Sequence, residues 1–257
     1  MSRLYIIIPV YNEEENMPSL FHGCRALENE LAGRLDVSFI LVDDGSSDKT
    51  LEQAKKEADG LSLQVLSHSV NQGPGAAFAT AFAWLYGRID GGDWVITMEG
   101  DNTSRHDLIQ TMLNRSNEGF DVVLASPYMY GGGFTETTFL RRFLSSGANL
   151  LVKDLLGIQG ILTVSSFFRL FRGSAIIRMQ HIFSPRIIER YGFESMVELI
   201  MKMTMLKLPI SEVAMQLDSS LRRGKSKMRI LRTIRGYLTL WFRKSAWQKT
   251  VLRDGEK

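Results

Sequence analysis

"ILVDDGSSDKT", residues 40–50, is an apolar run that stops abruptly at two adjacent aspartates, a glycine and two serines. A run apolar at nearly every position fits a strand covered on both faces. Four similar runs, "LYIIIPV", "LQVLSH", "DWVITM" and "DVVLAS", alternate with helical patterns at 13–34, 47–58, 74–88 and 106–117. This alternation predicts βαβ units and a mostly parallel twisted sheet flanked by helices. Ligands of such sheets bind outside the carboxyl ends of the strands, where the strand order reverses. Asp43 and Asp44 are therefore expected at the lip of that crevice, with Ser46 or Ser47 capping the next helix. Taken alone, "DDGSSD" reads equally as a turn followed by a helix cap.

Two further strand ends change the balance. The first strand runs into "PVYNEEEN" and the fourth into "TMEGDNTS", so Glu13, the Asp43/Asp44 pair and the Glu99/Asp101 pair all fall on one edge. Clustered carboxylates repel and raise one another's pKa unless a cation joins them. A hard divalent ion, Mg²⁺ or Mn²⁺, held by Asp101 and Glu99 with a substrate diphosphate resolves the conflict. "NQGPGAA" (71–77) is expected to let backbone amides approach that ligand. It is not a dinucleotide fingerprint, because Phe78 occupies the third glycine position, and no GxxxxGK[ST] loop occurs.

The chain has 257 residues, 44% hydrophobic and 23% charged, which suits an ample globular domain. One cysteine and four scattered histidines give neither a disulfide framework nor zinc-ligand spacing, so a reducing, cytoplasmic setting is the default. The N-terminal apolar run is too short for a signal peptide and no segment reaches membrane-spanning length. Residues 219–257 hold 12 Lys and Arg against 2 Asp and Glu, leaving 19 against 26 for the remainder. A basic tail on an acidic body points to a phosphate-bearing partner or an anionic surface. No nucleic-acid recognition module accompanies it, so nucleic acid is set aside.

Amphipathic helices are expected at 139–156 and 228–243. In the second, Ile230, Leu231, Ile234, Tyr237, Leu238 and Trp241 form one stripe, with Arg229, Arg232, Arg235 and Arg243 on the other side. That pattern suits an interfacial helix on anionic lipid, with packing of either helix on the protein's own core or on a second subunit as the alternative. Met196, Met201, Met203 and Met205 read as core packing in one helix, and Cys24 as a small buried hydrophobe.

"IIIPVYNEEENMPSL", "ILVDDGSSDKT", "NQGPGAA" and "ITMEGDNTS" resemble, in order and spacing, the donor-binding half of the inverting family-two glycosyltransferases. Downstream, "GGGFTETTFLRRFLSSGANLLVKDLLG", "TVSSFFRLFR", "GFESMVELIMKM" and "LRRGKSKM" look like blocks of dolichyl-phosphate mannose synthases and related polyprenyl-phosphate glycosyltransferases, carrying the resemblance from about residue 3 to 230. The resemblance implies a nucleotide-sugar-binding α/β domain of the GT-A type over 1–218, followed by a basic, membrane-surface tail over 219–257. It implies a metal-dependent transfer of a hexose from a GDP- or UDP-sugar to a polyprenyl phosphate at the cytosolic membrane face, with a membrane-spanning partner subunit as a further expected component.

By the same resemblance, Pro9, Tyr11, Glu13, Asp43, Asp44 and Gly100 hold the nucleotide, and Glu99, Asp101 and Thr103 meet the metal. Arg223 and Lys227, with Arg222 beside them, grip phosphates, and Arg169 completes the catalytic set with Asp101. A phosphate acceptor is largely dianionic at neutral pH and needs little help from a general base. Glu99, Thr163, Ser166 and Pro127 depart from the family pattern, and Thr163 stands where the D-x-T-S-G-F-R block has an acid. Two alternatives stay open: transfer to a glycan or small-molecule hydroxyl, and a catalytically weak nucleotide-binding relic at the membrane.

Overall fold

The β-branched run at the start of the chain becomes a central strand, β1 (Arg3–Val10), whose alternate side chains enter two cores. Leu4, Ile6, Ile8 and Val10 pack on one side of the sheet, Tyr5 and Ile7 on the other. The same two-sided burial explains why β2 (Asp36–Asp43) is apolar at nearly every position: Phe39 and Leu41 face one core, Ile40 and Val42 the other. The structure, a computed structural model, describes residues 1–135, 153–218, 220 and 230–255. Arg222, Arg223, Lys227 and most of the expected 139–156 helix lie outside the described residues.

The elements follow the expected alternation: α1 (Met17–Leu31), α2 (Thr50–Glu57), β3 (Leu63–Ser67), α3 (Pro74–Leu85), β4 (Trp94–Thr97), α4 (Leu108–Asn117) and β5 (Val122–Ser126). They are succeeded by β6 (Gly133–Thr135), β7 (Arg169–Arg172), α5 (Gly173–Phe183), α6 (Ser195–Met205), β8 (Ile210–Ala214), β9 (Gln216–Asp218) and α7 (Ile230–Gly255). The seven-stranded sheet has the order β3-β2-β1-β4-β7-β5-β8. Its pairs are parallel except that β7 runs antiparallel between β4 and β5. β6 and β9 form a separate parallel pair.

The order reverses beside β1, which has β2 on one flank and β4 on the other. That reversal puts the crevice at the carboxyl ends of β1, β2 and β4, where the acids lie. α1, α2 and α4 cover one face of the sheet and α3, α5, α6 and α7 the other. Met196, Met201 and Met203 of α6 are buried in the second core, as is Leu240 of α7, and Cys24 is fully buried in the first. Burial pushes the Cys24 thiol up to about 12, which leaves it inert.

α7 uses its faces differently from the single stripe expected. Leu240 and Trp247 are buried, with Tyr237 and Val251 packed beside them. Leu238, Trp241, Phe242 and Leu252 face outward, the first two at 50% exposure and the others at 72% and 67%. Among the described residues the helix therefore has an inner apolar face that docks and an outer one that stays exposed.

Candidate functional site

Three strand ends are tied together by their own side chains. The Asp44 amide donates to the Val10 carbonyl (2.9 Å), joining β2 to the end of β1. Asn12, in the left-handed region at φ 52°, donates its amide to Ser46 Oγ (2.9 Å) and accepts from the Ser47 amide at Oδ1 (2.8 Å). The Glu13 amide donates to Thr50 Oγ1 (2.7 Å), and Glu13 Oε2 accepts from Asn16 Nδ2 (2.5 Å). Asn102, at φ 65°, donates from Nδ2 to the Asn16 carbonyl (3.2 Å), which brings the β4 loop onto the turn after β1. Gly100 fits only because it lacks a side chain, since a Cβ would come within 2.6 Å of Val10 Cγ1. Tyr11, Glu13, Asp43, Glu99, Asp101 and Thr103 thus converge on one edge of the sheet.

Ser46 and Ser47 are spent on Asn12 and neither caps the next helix, whose N-cap position is Lys49 with no side-chain cap bond. Asp48 Oδ1 accepts from the Thr50 amide (3.0 Å) at the start of α2. Gly45 permits the tight DDG turn: its φ is 73°, and a Cβ would come within 2.5 Å of the Val70 carbonyl carbon.

Asp44, expected among the nucleotide-holding residues, is used internally. Its Oδ1 accepts from His68 Nδ1 (2.7 Å) and the Gln72 amide (3.0 Å). Its Oδ2 accepts from Asn71 Nδ2 (2.9 Å) and the Gly73 amide (2.7 Å). A carboxylate has about four lone-pair sites, so these bonds leave none over. Because a carboxylate only accepts, His68 Nδ1 carries the proton, and Nε2 faces Thr80 Oγ1 (2.9 Å). The expectation that the 71–77 loop offers its amides to a ligand is corrected by the same geometry. Gln72 and Gly73 donate to Asp44, and the Gly75 amide donates to the Tyr191 carbonyl (2.8 Å).

At the end of β4, Asp101 is 8% exposed, and its Oδ1 accepts from Thr103 Oγ1 (2.6 Å) and the Thr103 amide (3.2 Å). Glu99 accepts from the Ser104 hydroxyl, and its amide donates to Ser104 Oγ (3.2 Å). The donors here are all hard oxygens, the chemistry that suits Mg²⁺ or Mn²⁺. Among the described residues no group of three or more His, Cys, Asp or Glu stands ready to hold a metal. An ion held here would take further oxygens from a ligand, which fits a metal bound through one or two carboxylates plus substrate phosphates.

Arg169 lies beneath this site with no exposed surface. Its Nε donates to the Ser166 carbonyl (2.7 Å), Nη1 to Met196 (2.7 Å) and Nη2 to Val164 (2.9 Å). Burial lowers its pKa to about 9 against the pull of Glu99, so it stays cationic at neutral pH. Through these bonds its guanidinium holds the 164–168 stretch and the start of α6 in place. Counted back from Arg169, Ser166 matches the serine of the D-x-T-S-G-F-R block, so the departure expected at Ser166 is corrected to Phe167, which stands for the glycine, stacks on Phe193 with centroids 5.4 Å apart and meets Phe78 edge-on at 5.3 Å.

The acid missing at Thr163 has a neighbour that the sequence did not reveal. Glu212, on β8, accepts from the Thr163 amide (2.9 Å) and the Leu162 amide (2.6 Å). No spacing rule links residue 212 to 163; only the sheet order brings them together.

A crevice of carboxylates and hydroxyls at the switch point of an α/β sheet is where folds of this class bind their ligands. Residues 5–179 match the family model described as Glycosyl transferase family 2, and the chain belongs to that family, in the class of glycosyltransferases. It is 27% identical over 254 residues to a dolichol-phosphate mannosyltransferase of Pyrococcus furiosus, covering 98% of this chain and 66% of the relative. It is 30% identical over 176 residues to a polyprenol monophosphomannose synthase of Mycolicibacterium smegmatis, covering 66% of this chain and 62% of the relative. The chain thus spans just under two thirds of the length of these relatives. The glucosyl-3-phosphoglycerate synthase of Mycobacterium tuberculosis, solved with Mn²⁺ and UDP-glucose, shares the fold at a TM-score of 0.63 and 17% identity, covering 93% of this chain and 76% of that one.

Proposed function

We propose that this protein transfers a hexose, with inversion, from a GDP- or UDP-sugar to a polyprenyl phosphate at the cytosolic face of a membrane. The observation that carries the proposal is the convergence of Glu13, Glu99 and Asp101 at the strand-order reversal, with Thr103 bonded to Asp101. The named activities of the Pyrococcus and Mycolicibacterium relatives support the lipid-phosphate acceptor.

In this reading Pro9, Tyr11, Glu13 and Asp43 line the nucleotide pocket, and Asp44 builds its wall by fixing the 71–73 loop. Asp101, with Glu99 and Thr103, would hold Mg²⁺ or Mn²⁺. A divalent ion there supplies stabilisation of the charge that develops on the departing nucleoside diphosphate. Arg223 and Lys227, outside the described residues, would add cations for the donor diphosphate and the acceptor phosphate. An oxygen of the acceptor phosphate attacks the anomeric carbon while the sugar–diphosphate bond breaks from the opposite face. No general base is required, because that phosphate is already ionised.

Membrane contact is read from α7. No described helix is long and apolar enough to cross a membrane. Its outward Leu238, Trp241, Phe242 and Leu252 stand with exposed Arg235, Lys249 and Arg253 on the same helix, a composition suited to an interfacial position on anionic lipid.

The test incubates the purified protein with labelled GDP- and UDP-hexoses, Mn²⁺, and either polyprenyl phosphate in vesicles or soluble sugars. The proposal expects label in the organic phase, and a loss of roughly 100-fold or more in Asp101→Ala, the size typical of removing one group that stabilises developing charge. Label on soluble sugars alone, or an untouched rate in Asp101→Ala, overturns it.

A further inference from the structure

A buried ion-pair network joins the C-terminal helix to the loop that shapes the donor crevice. Its centre is Lys202 on α6, fully buried, with Nζ 2.6 Å from Glu198 Oε1 and 3.0 Å from the Ile187 carbonyl. Glu198, also fully buried, accepts from the Glu189 amide and the Arg190 amide, both at 2.9 Å. Burial raises the Glu198 pKa, with Lys202 opposing. These contacts fix the backbone of 187–190 from below.

The side chain of Glu189 turns the other way, toward α7. Its Oε1 accepts from Trp247 Nε1 (2.7 Å) and lies 3.4 Å from Lys202 Nζ, while Oε2 accepts from Arg243. Burial alone would raise the Glu189 pKa, but the Trp247 hydrogen bond, Lys202 and Arg243 together bring it below the ordinary range. The Trp247 ring also lies 4.7 Å from Lys202 Nζ. α7 is therefore clamped to the 187–191 segment through one carboxylate.

That segment is the surface on which the donor loop rests. The Gly75 amide donates to the Tyr191 carbonyl, and a Cβ at Gly73 would come within 2.4 Å of the same oxygen. A Cβ at Gly75 would come within 2.1 Å of the Arg190 carbonyl. Two backbones touch here with no side chain between them, so a shift of 190–191 must move 73–75. The amides of Gln72 and Gly73, immediately before, are those that fill the Asp44 carboxylate.

We propose that Glu189 is a positioning residue through which the C-terminal helix sets the 71–75 loop of the donor crevice. The inference rests on the donor-site reading for its functional consequence, whereas its mechanical part concerns the protein alone. An enzyme whose tail helix rests on lipid would, by this contact, have its donor loop in order only with that helix seated.

The experiment uses the full chain and compares wild type, Glu189→Gln and Trp247→Phe. Trp247→Phe keeps an aromatic ring over Lys202 and removes the N–H donor alone. Hydrogen exchange of the amides of Gln72, Gly73 and Gly75 is followed without any ligand, together with the amides of β1 and β2. Losing a hydrogen bond to a charged group is expected to speed exchange at 72–75 by about ten-fold, with β1 and β2 unchanged, because the opening is local. Exchange that speeds equally everywhere, or not at all at 72–75, overturns the proposal. UDP and GDP binding with Mn²⁺ is measured on the same samples, with weaker binding expected in both variants. Wild type that binds neither nucleotide would defeat the donor-site reading and leave the exchange result to decide the mechanical link. Variants that bind as wild type does, with altered exchange, would refute the positioning role.

Discussion

Replacing Asp44 by alanine removes the acceptor of four hydrogen bonds at once, two of them from backbone amides that cannot turn elsewhere. The residue is 3% exposed, so water does not readily replace the carboxylate. A hydrogen bond to a charged group contributes roughly 1.5–3 kcal/mol, and a buried donor left unpaired costs about 1–3 kcal/mol. The four are one network and do not add, so the expected loss for Asp44→Ala is roughly 3–5 kcal/mol, the scale of breaking a buried charged partnership. That is a large part of a typical domain's margin of about 5–15 kcal/mol. Asp44→Asn keeps one accepting oxygen but points an NH₂ at two donors, so it should fall between wild type and alanine. Urea unfolding is the assay, read as a lower midpoint at an unchanged slope. A loss below about 1 kcal/mol for alanine, or asparagine as stable as wild type, would refute the claim that this carboxylate is spent on the fold.

Other consequences are open to direct measurement. Burial pushes the His106 imidazole down to about 4 from an ordinary 6.5, and among the described residues its Nε2 has no hydrogen-bond partner. The unfolded chain takes up that proton first, so the contribution is fully present above pH 6.5 and is lost as pH falls toward 4, by up to about 3 kcal/mol. His106→Asn should flatten the stability–pH curve in that window, and an unaltered slope would contradict the assignment. Lys202→Met strands a buried carboxylate and should cost roughly 3–5 kcal/mol, whereas Lys202→Met with Glu198→Gln should cost less than Lys202→Met alone. Chemical denaturation of both variants gives the comparison, and a double variant less stable than the single would contradict the pairing. Trp241→Ala with Phe242→Ala should weaken binding to anionic vesicles by roughly ten-fold or more with little change in melting temperature, since both rings are exposed. Undiminished vesicle binding would remove the outer face of α7 from the membrane reading.

The first half of the fold was legible because its physics is local. Strands buried on both faces must be apolar at each position, and "LYIIIPV" and "VSFILV" announce β1 and β2 for that reason. β7 was not, since four residues, Arg169–Arg172, carry no period, and its antiparallel place depends on a long-range return to β4. The convergence of Glu13, Glu99 and Asp101 followed from strand ends alone. What could not be read was where each carboxylate points: Asp44 turns into the 68–73 segment, and Arg169 is capped by carbonyls from α6 and the 164–166 stretch. The stripe assigned to α7 failed for a different reason. A wheel shows apolar residues but not which of two apolar faces the body claims, and here Tyr237 packs inward beside Leu240 and Trp247 while Leu238 and Trp241 stay out.

The central claim is that the acids at the ends of β1 and β4 hold a nucleotide through a divalent ion. The measurement that meets it most directly is the melting temperature of the protein with UDP, GDP and their hexose conjugates, with and without Mn²⁺, in wild type and Asp101→Asn. A ligand that binds only the folded state raises it, by an amount set by concentration over Kd. A rise with one nucleotide that requires Mn²⁺ and disappears in Asp101→Asn is the expected result. No rise with any of them, or a rise equal in the variant, would contradict it.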